Sequence, residues 1–256
     1  MDADALAAAV EPPLRITFRK GQPVFRRNPG KRLYKVSKLI DEFSTAEWHE
    51  WSRQLADAVV YLKESGDRIR TITSGPGVDS AGIDFPIDHC EGDDPALELR
   101  PDESVVTHIS AEFIAAIAEF DLFAEFSHYS YRTSDLPSQV KQAARLWVSL
   151  PDEAIHDLSL PPYDHTEDGI SFPIGGTGEL PIKDQIREAT AFLETWSESI
   201  REISQRSPEK LALELVTRFD GSTVLPPAFL HAAAKTGIAV QLIYLPAPDE
   251  PDNQTD

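Results

Sequence analysis

Shifted against itself by 116 residues, the chain lays Ala96-Leu97-Glu98-Leu99 on Ala212-Leu213-Glu214-Leu215 without a gap. The match runs on: Thr107 meets Thr223, Phe113 meets Phe229, Ala116 meets Ala232, Ala118 meets Ala234, and Leu122 and Phe126 fall on Ile238 and Leu242. Upstream, at another shift, Thr45-Ala46 and Trp51-Ser52 fall on Thr190-Ala191 and Trp196-Ser197. A chain that repeats the order helix, strand, helix, strand has to bury one stripe of each helix on a sheet, and to do so twice. The expectation is an α+β fold of two similar two-layer halves, residues 14–131 and 132–245, each a small, mostly antiparallel sheet with helices packed on one face. An Ala- and acid-rich lead (1–13) and an acidic, Pro-rich tail (246–256) flank them, and both are expected to be loose because neither can supply a core.

Periodicity and punctuation place the elements. Residues 14–18 and 33–39 alternate as half-buried strands do, with turns at Gly21-Gln22-Pro23 and Asn28-Pro29-Gly30 between them. Ser44 reads as an N-cap with Glu47 closing a capping box, and Trp48, Trp51, Leu55, Val59 and Leu62 follow on one helix face that ends near Ser65-Gly66. A short strand is expected at 69–73, an apolar run at 83–87, a strand at 96–99, a helix capped by Ser110 with Phe113, Ile114, Ile117 and Phe120 inward, and a strand at 122–131. In the second half the pattern predicts a helix from Ser134-Asp135 through Val140, Ala144, Trp147 and Val148, then a strand at 170–174. One long helix follows over 182–204, with Ile186, Ala189, Leu193, Trp196 and Ile200 inward. A strand at 211–218, a helix opened by Pro226-Pro227 and closed by Gly237, and a strand at 238–245 complete it.

Charge is distributed unevenly. Residues 15–38 hold nine cations (Arg15, Arg19, Lys20, Arg26, Arg27, Lys31, Arg32, Lys35, Lys38) and no acid, which leaves −28 on the rest of a chain of net charge −19. Such a ribbon either folds back on the acidic body or docks an acidic partner. Nucleic-acid binding calls for surplus positive charge and stacking aromatics, and only Phe18, Phe25 and Tyr34 accompany these cations. No apolar run approaches the roughly 20 residues of a membrane helix, and the start is not that of a secretory signal. Cys90 is the sole cysteine, so no intrachain disulfide and no cysteine-based zinc cluster can form, which fits a reducing cytoplasm.

The first half resembles a family of small bacterial domains of unknown function, some of them immunity-like, here in tandem. The resemblance rests on Arg19-Lys20-Gly21-Gln22-Pro23, the Trp-containing helix, and Ile109-Ser110-Ala111-Glu112-Phe113 leading into Phe126-Ser127-His128-Tyr129. It covers residues 14–131 and, less clearly, the second half. What it implies is a binding role, with no catalytic residues to carry over.

Two loops collect reactive side chains. Asp88-His89-Cys90-Glu91 with Asp93-Asp94 has the groups of a metal or nucleophile site, but adjacent residues of an extended chain point in opposite directions and acidic neighbours raise a thiol pKa, so an acidic surface loop is expected. His156-Asp157 and Asp164-His165 with Glu167-Asp168 match no metal pattern and read as a solvated loop, with a binding loop that uses Tyr163 as the variant. His128 reads as a structural strand histidine. Gly175-Gly176-Thr177-Gly178 lacks the Gly-Lys-Ser/Thr ending of a phosphate loop, and Ser74-Gly75-Pro76-Gly77 lacks the nucleophile-elbow pattern.

These features point to a cytoplasmic, non-enzymatic protein-binding module, immunity-like, acting by charge complementarity through Arg19, Lys20, Arg26, Arg27, Lys31 and Arg32. The partner is another protein rather than nucleic acid or membrane, and no cofactor is implied. The alternatives are a metal-dependent hydrolase or transferase using the His156 to Asp168 loop, and an acidic DNA mimic.

Overall fold

The computed structural model of the protein describes residues 3–11, 13–20, 22, 37–47, 50–88, 105–129, 144–148, 163–166, 169–175, 180–206, 211–218 and 222–245. Its class is α+β. The lead carries a helix that its composition does not announce, α1 (Ala3–Ala8), because Ala7 together with Val10 and Leu14 closes a small core against Ile16, Leu39 and Ile72. β1 (Arg15–Phe18) and β2 (Lys38–Ile40) pair antiparallel, Arg15 facing Ile40. Helix α2 (Trp51–Glu64) begins later than the Ser44 box proposes, with Glu50 at its N-cap. The Ser44 hydroxyl is instead committed to Asp57 Oδ2 at 2.6 Å and to the Ala46 N–H, and the Glu47 N–H donates to Glu50 Oε2.

Residues 69–73 are helical, not a strand. They belong to α3 (Gly66–Thr73), which follows α2 directly, Ser65 ending one helix and starting the next. Ile69 and Ile72, three apart, turn to one side, and the Thr71 and Ser74 hydroxyls donate to the carbonyls four residues back, so the β-branched run is accommodated in the helix. The first half continues with β3 (Gly82–Asp88), β4 (Val105–Ile109), α4 (Ala111–Ala118) and β5 (Phe123–Tyr129). Ser110 caps α4 as expected, accepting from the Phe113 N–H at 3.2 Å.

Residues 144–148 form a strand, β6 (Ala144–Val148), where the sequence pattern predicts a helix. Ala144, Leu146 and Val148 are buried while Arg145 is exposed, a period of two that a helical reading of so short a segment conceals. Then come β7 (Asp164–Thr166), β8 (Gly169–Ile174), α5 (Ile182–Thr195) and α6 (Ser197–Arg206). The single helix expected over 182–204 is thus broken at Trp196, which lets Ile200 and Ile203 of α6 join the core that Leu193 of α5 already reaches. β9 (Leu211–Arg218), β10 (Ser222–Leu225), α7 (Pro227–Thr236) and β11 (Ala239–Leu245) complete the described elements. Gly237 ends α7 in the left-handed region (φ 69°), its N–H on Ala233 O, and Asp121 takes the same role after α4 (φ 55°).

Two sheets run across the boundary near residue 131. The six-stranded one has the order β4-β11-β9-β6-β8-β7 and the three-stranded one β10-β5-β3. β4 pairs antiparallel with β11, and β10 pairs antiparallel with β5, so each sheet receives a strand from the other side of the boundary. Each also holds a parallel pair, β3 with β5 and β9 with β11. The shift of 116 carries Ile109 onto Leu225, Ala111 onto Pro227, and β5 residue by residue onto β11. The upstream shift is corrected: Trp51 opens α2 whereas Trp196 ends α5. The helices superpose when 51 is set on 182, 64 on 195 and 66 on 197, a shift of 131. Residues 96–99 lie outside the described residues; the strand lying parallel to β5, as β9 lies parallel to β11, is β3.

One apolar core joins both sides of the boundary, with the Phe85 ring meeting those of Phe113 (5.4 Å between centroids) and Phe126 (5.1 Å), and Phe229, Leu230, Leu242 and Tyr244 in the same cluster. Each such side chain contributes about 1.5–3 kcal/mol on burial. α4 packs on α7 beneath the exchanged strands, flanked by α2 and α5. No helix among the described residues is long and apolar enough to cross a membrane.

Candidate functional site: the polar face of the larger sheet

Strand alternation divides the sheet residues between two faces. Leu146, Leu213, Leu215, Val240, Leu242, Thr107 and Ile109 are buried on the side packed by helices. The opposite side carries polar groups in register. His108 on β4 faces Gln241 on β11, Gln241 faces Glu214 on β9, and Glu214 faces Arg145 on β6. Three inter-strand spacings of about 4.8 Å make this row about 14 Å long. Apolar rows flank it, Val106, Ile243 and Val216 on one side and Ala239, Ala212 and Trp147 on the other. Val106 is 42% exposed, while Ala212 and Val216 are nearly buried.

Electrostatics single out Glu214. Burial pushes its carboxyl above the ordinary range, and the Arg145 guanidinium on the neighbouring strand pulls it back only in part. The smaller sheet repeats the layout with different chemistry: Asp84 faces Glu125, which faces Val224, itself 43% exposed, and the Ser127 hydroxyl donates to Asp84 Oδ1 at 2.8 Å. The row thus offers a donor, an amide and titratable groups on one surface, the equipment of recognition by hydrogen bonding and charge.

A buried amide holds each strand's end. Gln185, fully buried on α5, donates through Nε2 to Leu180 O (2.9 Å) and Val216 O (2.8 Å), and its Oε1 accepts the Val216 N–H at 3.0 Å. Among the described residues the pairing of β6 with β9 reaches Glu214, and two residues on, this side chain binds both backbone groups of Val216. Gln54 on α2, at the shift of 131, donates to Glu47 O (3.0 Å) and Pro86 O (3.2 Å), and Pro86 has no N–H to give in return.

A second polar cluster ties α1, β1 and β2 to the helices. Asp41, just past β2, accepts from Arg68 Nε on α3 (2.7 Å) and from the Tyr61 hydroxyl on α2 (2.6 Å), and Phe43 stacks on Tyr61 at 5.0 Å. Burial pushes the Asp41 carboxyl up, but the two hydrogen bonds and the Arg68 charge outweigh it and hold it below the usual range. Burial and then the Asp41 carboxylate push the Tyr61 phenol up to about 12.

Of the cations read as a partner-binding set, Arg19 and Lys20 lie just after β1. The Arg19 guanidinium pairs with Asp4, the Arg19 backbone N–H donates to Gln22 Oε1, and the Lys20 backbone N–H donates to Ser37 Oγ. Arg15 pairs with Glu42 at 2.6 Å, both side chains largely exposed. Arg26, Arg27, Lys31 and Arg32 lie outside the described residues, as do His89, Cys90, Glu91, Asp93, Asp94, His156, Asp157, Glu167 and Asp168. Asp164 and His165 are exposed on the edge strand β7, where Tyr163 meets His165 edge-on at 5.3 Å. Among the described residues no three of His, Cys, Asp and Glu come together as a metal-holding group. The row of His108, Gln241, Glu214 and Arg145 escapes a reading of the sequence because its members come from four strands; the only local signal is that each occupies a polar phase of an alternating run. Comparison with protein-family models, with curated proteins and with solved structures brings no match to this chain in any of the three.

Proposed function

We propose that the protein is a non-enzymatic binding module for another protein, of the immunity-like kind its first half resembles, which engages its partner by charge complementarity. The polar face of the larger sheet supports this reading: a mixed row of His108, Gln241, Glu214 and Arg145 between apolar rows gives a partner desolvated contact and charges that fix its register. The cations Arg19, Lys20, Arg26, Arg27, Lys31 and Arg32 form a second contact in this reading and steer an acidic region of the partner. The exchange of β4 and β10 supports the further reading that the chain arose by duplication of one α+β unit and functions as a single body, in the cytoplasm.

The test is capture from native lysate at low salt, followed by reconstitution of the captured protein with the purified chain. Reversing Arg145 and Glu214 (Arg145→Glu with Glu214→Arg) is expected to weaken the reconstituted complex at least tenfold, and reversing Arg26, Arg27, Lys31 and Arg32 to slow association with a loss of salt dependence. A complex indifferent to both sets refutes the reading.

A further inference from the structure

The N-terminal elements have a core of their own. Ala7, Val10 and Leu14 cluster with Ile16 and Leu39, apart from the main core, and meet the body at Ile72 of α3. β1 and β2 pair with each other and, among the described residues, with no other strand. What else fastens this arm is Leu6 of α1 against Gly75 and, where the chain approaches α2 and α3, the Asp41 pair with Arg68 and Tyr61, the Phe43–Tyr61 stack, and the Ser44–Asp57 hydrogen bond.

That fastening is imperfect. The Arg68 side chain is only 13% exposed; its Nε donates to Asp41 at 2.7 Å, while its buried Nη1 and Nη2 have no hydrogen-bond partner among the described residues. Stripping water from four N–H donors without replacing it is unfavourable, and hydration on opening recovers it. Ion pairing and stacking therefore hold the arm shut while the unsatisfied fork pulls the other way, which sets local opening well below the cost of global unfolding. We propose that α1, β1 and β2 form a strap that swings off α2 and α3 while the body stays folded, with Asp41 on Arg68 and Tyr61 as its clasp. Arg19 and Lys20 ride on this strap, so opening would change how they are presented, but the strap itself stands whether or not these cations bind a partner.

Amide hydrogen exchange on the full chain tests it without any substitution. In dilute urea the amides of β1 and β2 are expected to exchange at least about 100-fold faster than those of α4, α7 and β11, with a weaker urea dependence; equal rates and equal urea dependence overturn the proposal. Two variants separate a strained clasp from a simple tether. Asp41→Asn weakens the hold on Arg68 and should speed strap exchange about tenfold with α4 and α7 unchanged. Asp41→Leu with Arg68→Met removes the buried fork altogether and should slow strap exchange below that of the unaltered protein. If the double variant speeds strap exchange as the single one does, or if strap and body change together in either, the strained clasp is refuted.

Discussion

Replacing each buried glutamine by leucine measures what an orphaned strand end costs. Leucine is close to glutamine in volume, so Gln185→Leu keeps the packing and deletes three hydrogen bonds, leaving the Val216 N–H, the Val216 carbonyl and the Leu180 carbonyl without this partner. A buried group left unsatisfied costs about 1–3 kcal/mol, and an N–H without an acceptor belongs at the upper end because it has no second lone pair to use. The two Val216 groups therefore lose about 4 kcal/mol, and burying an aliphatic side chain in place of an amide returns about 1, for a net loss of about 3 kcal/mol. Gln54→Leu removes only two bonds, to Glu47 O and Pro86 O, and Glu47 is an exposed residue whose carbonyl can turn to water. Its net loss is about 1 kcal/mol. Thermal melts read by circular dichroism should separate the two variants by about 4–8 °C, taking about 2–4 °C per kcal/mol for a chain of this size. Pro86→Ala should couple favourably to Gln54, because it supplies the N–H that Val216 already offers to Gln185. Equal losses from the two leucine variants, or a loss below about 1 kcal/mol at Gln185, would refute the argument that the amide is the partner of both Val216 backbone groups.

Cysteines at Val106 and Ile243, which face each other between β4 and β11, should close a disulfide under air oxidation in a Cys90→Ala background, detected by mass spectrometry as a linked pair of peptides after digestion without reductant; no crosslink would mean the strands are not exchanged. Glu214→Gln should raise the melting temperature at pH 7: an acid whose folded pKa lies above its unfolded value disfavours the folded state once ionised, and the gain should vanish as the pH falls below about 4, where both forms are neutral. Gly237→Ala should cost about 1–2 kcal/mol, since a Cβ there would be left-handed and 3.2 Å from Ser204 Oγ, whereas Asp121→Gly at the matching turn should cost less than about 0.5 kcal/mol or stabilise; urea titrations of both decide it.

The α+β class, the strands β5, β8 and β9, the Ser110 cap and the Gly237 stop were all written in local pattern. Periods of 2 and 3.6, a hydroxyl before an apolar run and a glycine after one report conformation directly, because each reflects which side of a short segment is buried. The shift of 116 was legible for the same reason, since Phe113 and Phe229 hold equivalent core positions on α4 and α7. Where local signals were mixed the pattern failed: Ile69 to Thr73 is β-branched yet helical, Ala144 to Val148 continues a helical spacing yet forms a strand, and Trp196 breaks a stripe that reads as continuous. Strand neighbours were beyond it altogether. Backbone hydrogen bonds are the same for every residue, so alternation shows which face of β4 is buried but not that β11 lies beside it. That long-range choice, made by the packing of α4 on α7, is what gathers His108, Gln241, Glu214 and Arg145 from four strands into one row and sets Gln185 at the end of β9.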